Sequence, residues 1–583
     1  MISPWHPSCS IFLLLSWLSL AESQKVAIIG GGLSGTFTSK YLVDLDGKGC
    51  NLDSITIFDP LPIGGPAPTS DDDWQGSRVS SVALPDGRIV ELGASVFHEA
   101  NQLVKDMIDN DPALEIGTPF NVGNDATIQH HVPPREGLGI YDGDGAWAYM
   151  GNKSDPWNTV KTVLRYNMDL YRVDRATQHA LESFLEIPAL LNSTAPDTFF
   201  ESPDDMWQRV QLLKPTHASY SQLLDAMGIW AEDSWFHSLI PHGGYLGSLR
   251  RELLTAINLI NYNQPNSHIN GLVGLVSFAA SKGPLYSVVG GNQQMIRSAF
   301  SQAQTNRRQN CQQGDGLNVV THVAQRVTTV IGSMDGFELF AGQEVLGTFD
   351  AVVLAAPLQQ CRIQFLIPSQ FDSAVLQPMP LANAMVDTDK AESQKDHEGH
   401  PVLPDKLPDC SRRPFTQVVT TVVSGATLNH EHFHIDKDKL PRAVCVTERG
   451  KEKEGGITVI SEIAGDGVYK MFSSNVLSED TLKGLFGPGH TVEFVKTWGG
   501  PHGGATPDYQ GQGVSVGYLL YDGATGLEGH TKNGALYYPN AIETALACME
   551  ASAIGAKSVA KLLARRFGII QPSSRKSHNG EEL

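Results

Sequence analysis

The stretch KVAIIGGGLSGTFTSKYL, residues 25–42, leaves few folds open. Val26 to Ile29 is an apolar run of strand length, and Gly30, Gly32 and Gly35 follow at GxGxxG spacing. The segment from Leu33 to about Leu45 reads as a helix. SITIF, residues 54–58, is a second strand that ends on Asp59, 24 positions after Gly35. In such a β-α-β unit the first glycine permits the tight turn and the second lets a pyrophosphate approach the backbone. The third lets helix and strand pack closely, and the acid accepts hydrogen bonds from ribose hydroxyls. The helix N-terminus stabilises phosphate charge. No Arg stands beside Asp59, which argues against a 2′-phosphate. The spacing predicts a dinucleotide site.

The compartment narrows the dinucleotide. Residues 1–23 read as a secretion signal: IFLLLSWLSL (Ile11–Leu20) is too short to span a bilayer. Ala21 and Ser23 then occupy the small positions of a cleavage site, with Gln24 next. No later segment has the uncharged length of a transmembrane helix, so a luminal or secreted mature chain is expected. The sequons at Asn152 and Asn192 agree as candidate glycosylation sites. Soluble nicotinamide pools are mostly cytosolic, and the chain offers no second dinucleotide motif. GQGVSVG at Gly511 follows polar TPDYQ and reads as a loop. One motif in such a compartment implies a resident cofactor, and FAD fits.

Composition excludes some partners. With 43 Lys and Arg against 63 Asp and Glu, a net charge of −20 and no basic run, nucleic acid is not expected. Cys9 falls in the signal; the other six cysteines show no CxxC and no metal-type spacing, so no metal site is expected. Free thiols and one or two disulfides both stay open. The 583 residues, 41% hydrophobic, suffice for one large two-lobed enzyme.

The pattern along the chain predicts an α/β protein of two lobes, with a discontinuous Rossmann-like FAD-binding domain and an inserted α+β substrate domain. The expected division is signal at 1–23, FAD-binding parts at 25–98, 283–365 and 530–567, and substrate parts at 99–282 and 366–529. The first substrate part reads as mainly helical and holds five of the nine tryptophans. A polar insertion is expected at about 380–413, a C-terminal helix from about Ile542 to Phe567, and a disordered tail at 568–583.

Longer segments make a family resemblance specific. SRVSSV…ELGASVFHEAN, VAQRV, TFDAVVLAAP, KTWGGPHGG and ALYYPNAIETALACMEASAIGA occur in the order of the amine-oxidase-like FAD flavoproteins. Within them the chain most resembles the prenylcysteine oxidase (prenylcysteine lyase) family. GASVFHEAN is similar to that family's GGSVIHPLN-type segment, INYNQ to its INYGQ, and YSVVGGNQQM to its W-x-V-x-GGN. VVTTVVSG is similar to its VTTLVKG, and the resemblance spans roughly 25–365 and 415–567. It implies that Gly30, Gly32, Gly35 and Asp59 bind the ADP half of FAD, that Arg78 approaches the diphosphate, and that the Val323 backbone meets the adenine. It also implies that Gly93, Ser95 and Val96, the Gly290–Asn292 segment, and Asn540, Ile542 and Glu543 lie near the flavin. The N-terminus of the helix that follows would stabilise the reduced flavin. The family's GGR motif is split here: either Gly64-Gly65 or Gly76-Ser77 plays the glycine part before Arg78.

The implied reaction oxidises the thioether of farnesyl- or geranylgeranylcysteine. A hydride leaves the allylic carbon beside sulfur for the flavin, water captures the thiocarbenium, and the hemithioacetal collapses to cysteine and a prenyl aldehyde. O₂ then yields H₂O₂. His98 and His502 are the candidate groups to activate the water or protonate the thiolate. Trp498 either walls the flavin pocket or fills core. Two other readings share the cofactor motif: a luminal amine or polyamine oxidase, and a secreted flavoprotein without turnover. The compartment implied is the secretory pathway, in a lysosomal or vacuolar lumen or outside the cell.

Overall fold

The computed structural model describes residues 24–65, 77–117, 137–151, 158–229, 248–279, 283–311, 319–333, 336–358, 361–369, 376–381, 416–463, 467–499, 516–523 and 534–571. The signal segment, Asn152, the Gly76 alternative, Gly511, His502 and residues 572–583 of the tail lie outside the described residues, as does most of the polar insertion. Residues 568–571, expected in the disordered tail, are instead ordered, with the Ile569 and Ile570 amides bonded to the Ala564 carbonyl and both side chains packed on the core.

The glycine motif sits where its spacing predicts. β1 (Gln24–Ile29) runs into α1 (Leu33–Asp46) and returns through β2 (Leu52–Phe58). β1 is the middle of a six-stranded sheet ordered Val319–Val323, β2, β1, Ala351–Leu354, Ala535–Tyr537, Leu519–Asp522. The first five strands are parallel and the last is antiparallel. Val26, Ala27 and Ile28 are wholly buried, as in a parallel sheet covered on both faces. The strands come from distant parts of the chain, and Leu519–Asp522 brings it back into the sheet before residue 530.

α1 packs against helices Gln294–Asn310 and Met549–Arg566. Close approach is possible because its buried positions are small. Thr36 donates to the carbonyl of the N-cap Gly32, and Thr38 and Ser39 to carbonyls within α1, at 2.7–2.9 Å, so their hydroxyls are buried without an unmet hydrogen bond. A Cβ on Gly35 would lie 1.9 Å from the Gly30 carbonyl oxygen, and one on Gly555 would lie 2.2 Å from the Pro539 carbonyl oxygen. Both glycines are required by backbone contact.

The second lobe is built on a seven-stranded sheet ordered Thr491–Trp498, Val418–Ser424, Tyr469–Ser473, Ile457–Glu462, Ala443–Val446, Leu138–Gly143, Ala146–Gly151. Helices Asn158–Phe184, Thr255–Tyr262 and Gly271–Ala279 pack together beside it, with Thr255–Tyr262 against its inner strands. Trp207 is wholly buried and stacks with Phe184, while Trp147 packs against Tyr141 and Phe433.

Two sequence expectations change. The region 99–282 is mainly helical as read, but it also holds strands: the hairpin 138–151 adds two to the second-lobe sheet, Leu138–Gly143 pairing in parallel with Ala443–Val446. The element expected at about Ile542–Phe567 is two pieces, a 3-10 turn at Pro539–Thr544 and an α-helix at Met549–Arg566. Asn270 Nδ2 takes the Ala545 carbonyl (2.8 Å), and extended Cys548 restarts the chain as N-cap, its sulfur accepting from Ala551 N–H. The open question of the cysteines resolves partly: Cys50 and Cys311 form a disulfide, while Cys361, Cys445 and Cys548 are free thiols. Among the described residues no helix is long and apolar enough to cross a membrane.

Candidate active site

One cavity of about 770 Å³ runs from the glycine turn into the second lobe, a volume usual for a cofactor or substrate site. At its first end stand Gly30, Gly32, Leu33, Ser34 and Asp59. No side chain caps the first turn of α1, whose N-cap is Gly32. A Cβ on Gly32 would meet nothing nearer than Ser77 Oγ at 3.5 Å. Open amides at a helix N-terminus and a bare backbone fit a phosphate.

Asp59 is fixed from two sides. Its Oδ2 accepts from Gly31 N–H at 2.7 Å, its Oδ1 accepts from Leu61 N–H at 2.9 Å, and His322 Nε2 donates to its carbonyl at 2.8 Å. A carboxylate has about four acceptor positions, so two remain for ribose hydroxyls. Burial raises its pKa, while those two N–H groups and nearby His322 oppose the rise. The residues present therefore fit a dinucleotide.

The middle of the cavity is walled by the turn Gly93–Val96, by Ala355–Pro357, and by Arg78 with Glu543. Arg78 holds Glu543 with both guanidinium nitrogens, Nη1 at 3.0 Å from Oε2. The resemblance directs Arg78 to the diphosphate; the structure directs its fork at least as strongly to Glu543, which is buried. Of the Gly-Gly alternatives, Gly64 is described, and its carbonyl accepts from Arg297 Nε at 2.7 Å. Asn540 and Ile542 are buried behind the wall, with Asn540 Oδ1 lacking a hydrogen-bond partner. Val323 also lies off the wall, and its carbonyl accepts from the Asp59 and Gln325 amides.

The Gly290–Asn292 segment does not line the cavity but grips the turn that does. Asn292 Nδ2 donates to the Ala94 carbonyl at 2.7 Å, and its N–H donates to Glu91 Oε1 at 2.6 Å. Glu91 Oε2 accepts from Ser81 Oγ at 2.8 Å. Burial pushes Glu91 up to about 7, against its hydrogen bonds and nearby Lys470.

His98 lines the same cavity. Its Nδ1 accepts from Ala100 N–H at 3.1 Å, which assigns the ring proton to Nε2. Nε2 is buried and without a partner in the described structure, and burial lowers the ring's pKa. Neutral His98 is thus a hydrogen-bond donor with no free basic nitrogen. Nε2 sits against Gly283, where a Cβ would stand 2.4 Å from it, so the ring is not placed to take a proton from water.

The far end is an apolar slot. Helices contribute Ala180, Leu181, Phe184, Leu275, Val276 and Ala279, and the seven-stranded sheet contributes Cys445, Val459, Phe472 and Trp498. Trp498 is both wall and core: its indole N–H donates to Thr420 Oγ1 at 3.2 Å, and Thr420 donates to the Leu92 carbonyl. Asn263, at the position of the glycine in INYGQ, has φ +55. Its side chain is tied to the Gln417 carbonyl and to Lys451 Nζ. Sequence could not separate these slot residues from core, because both are apolar. Lys470 was also missed, although its signal was present: it alternates with Phe472 on one strand face of an otherwise apolar strand, and it is buried there while Phe472 is half-buried.

The profile of the family described as prenylcysteine lyase matches residues 150–388 and 398–574. The chain belongs to the prenylcysteine lyase family. Farnesylcysteine lyase of Arabidopsis thaliana is 25% identical over 558 residues, 93% of this chain and 88% of that protein. Prenylcysteine oxidase 1 of Mus musculus is 23% identical over 582 residues (96% and 92%), and that of Homo sapiens 24% over 570 (94% and 90%). Among solved structures, cyclohexylamine oxidase from Brevibacterium oxydans superposes with a TM-score of 0.46 at 14% identity, covering 93% of this chain and 99% of that one. Putrescine oxidase bound to putrescine gives the same values. Membership of the prenylcysteine lyase family makes the chain an oxidoreductase of the flavin-dependent kind.

Proposed function

We propose that this protein is an FAD-dependent thioether oxidase that cleaves farnesyl- or geranylgeranylcysteine, with O₂ and water, to cysteine, a prenyl aldehyde and H₂O₂. The observation that carries the reading is the continuity of one cavity from the dinucleotide turn to an apolar slot. When bound, FAD supplies the two-electron acceptor and the route to O₂.

The chain's residues do the rest. Gly30, Gly32 and the α1 amides take the pyrophosphate, Asp59 takes the ribose, and Arg78 is held on the wall by Glu543. The slot takes the prenyl tail by removing apolar surface from water. Sulfur stabilises a cation on the neighbouring carbon, so no strong base is required, and His98, on the cavity wall, is the candidate proton donor to the departing thiolate. A secretory setting belongs to the same proposal. It is supported by the Cys50–Cys311 disulfide, which suits an oxidising compartment, and by exposed Asn192, a candidate glycan acceptor.

The test is anaerobic titration of the purified protein with farnesylcysteine and, in parallel, spermine, following flavin absorbance. Bleaching by farnesylcysteine alone, with H₂O₂ on readmitting air, is the expected result. Bleaching by spermine alone transfers the protein to the amine oxidases. A yellow protein bleached by neither is a flavoprotein without this turnover, and a colourless one removes the FAD assignment.

A further inference from the structure

The cavity face of the seven-stranded sheet is read by every second residue: Val418 and Thr420, Val459 and Ser461, Lys470 and Phe472. Lys470 is the one charged group in that set, and it is buried. Its Nζ donates to the Glu91 carbonyl at 3.0 Å and to Ser95 Oγ at 2.7 Å, and lies 5.3 Å from the centre of the Phe472 ring. Each of these partners is neutral. An ammonium has three protons to give.

The other charged residues on the wall are already engaged. Arg78 and Glu543 hold each other, and Asp59 stands at the glycine turn with two backbone N–H groups on its carboxylate. The Glu91 carboxylate is taken by Asn292 N–H and Ser81 Oγ, off the cavity wall. Among the described residues Lys470 is thus the one wall cation with no carboxylate hydrogen-bonded to it, although the Glu91 carboxylate acts on it through space; Asp59, at the glycine turn, keeps two acceptor positions open. A buried ammonium on the wall with a proton to spare favours a ligand that brings a carboxylate and opposes one that brings only positive charge.

We propose that Lys470 is a specificity-determining residue that receives the α-carboxylate of the substrate, with the apolar tail lying in the slot. The assignment rests on the thioether reading and names which end of the amino acid the chain recognises. It also supplies a physical reason for discrimination against polyamines.

The test compares farnesylcysteine with its methyl ester and with spermine on the flavin-loaded enzyme. Equilibrium binding of the carba analogue (CH₂ in place of sulfur), as acid and as ester, is measured by protein fluorescence. A charge-assisted hydrogen bond predicts that the acid is preferred to the ester by roughly 10- to 100-fold, in kcat/KM and in Kd. K470Q, which retains donors for Ser95 and the Glu91 carbonyl, is expected to bring that ratio close to one, and K470R to retain most of it. K470M repeats the charge removal without donors.

A wild-type enzyme that treats acid and ester alike, or a K470Q enzyme that keeps the wild-type ratio, overturns the assignment and leaves the thioether reading intact. Turnover of neither acid nor ester, with spermine oxidised, overturns both.

Discussion

Helix Gln102–Asp109 begins beside the cavity and lacks an ordinary cap: the side chain of Asn101 makes no capping bond. Its first-turn N–H groups on Leu103 and Val104 donate instead to Glu550, at 2.9 and 3.0 Å, from the C-terminal helix. Glu550 is wholly buried. Burial pushes its pKa from 4.5 to about 7, although the two N–H bonds oppose the rise. The folded chain therefore binds this proton more tightly than the unfolded chain. The associated stability is fully present below about pH 4.5 and is lost as pH rises through about 7. A rise of that size corresponds to about 3 kcal/mol. Substitution E550Q keeps an acceptor for one or both N–H groups and cannot ionise. Relative to E550Q, wild type should lose about 3 kcal/mol between pH 4.5 and 7.5. Thermal unfolding of both proteins at half-unit pH steps and constant ionic strength measures this. Glu91 titrates in the same direction and Lys470 and His98 oppositely, so the comparison between the two proteins carries the test. Parallel profiles for wild type and E550Q would refute the reasoning.

Substitution G35V puts a side chain against the Gly30 carbonyl, where a Cβ alone would stand at 1.9 Å. The glycine turn must open, and the purified protein should lack flavin absorbance; a stoichiometric yellow G35V protein contradicts this. R78M leaves Glu543 buried without its bidentate partner and should cost about 3 kcal/mol. E543Q added to it should restore part of that, measured as a double-mutant cycle of unfolding. The double substitution C50S/C311S removes a cross-link between positions 261 apart and should cost about 2–5 kcal/mol. Its check is a lower Tm that no longer responds to reductant, while wild type does.

The parts legible in the sequence were those with local signatures. The glycine spacing, the acid ending β2 and the apolar runs that became neighbouring parallel strands each report on a few adjacent residues. The hairpin 138–151 was hidden because its partner strand, Ala443–Val446, lies some three hundred residues away. The C-terminal helix was read through residues 545–548 because nothing local shows that Asn270 takes the Ala545 carbonyl. Glu550 stands in the first turn of its helix, and nothing local shows that its partners are the Leu103 and Val104 amides. The slot was unreadable for a different reason: Phe184 and Phe472 face a cavity, Phe37 and Phe337 face core, and the side chains are the same.

The turn Gly93–Val96 is where these distant parts meet. Ala94 holds φ +52, a left-handed conformation that a residue with a Cβ adopts at some cost. Nothing in the four residues themselves would keep it there. Asn292 binds the Ala94 carbonyl, Lys470 binds Ser95 Oγ and the Glu91 carbonyl, and the Glu91 carboxylate in turn fixes Asn292 and Ser81. The grip on this turn therefore comes from both lobes: Asn292 adjoins helix Gln294–Asn310, which packs on α1, and Lys470 belongs to the seven-stranded sheet. A displacement of one lobe against the other would pull on the same four residues that wall the cavity. The division of the chain into separated segments thus has a mechanical consequence. The cofactor end and the substrate end share one strained turn, and its geometry is set only when both lobes are folded and docked.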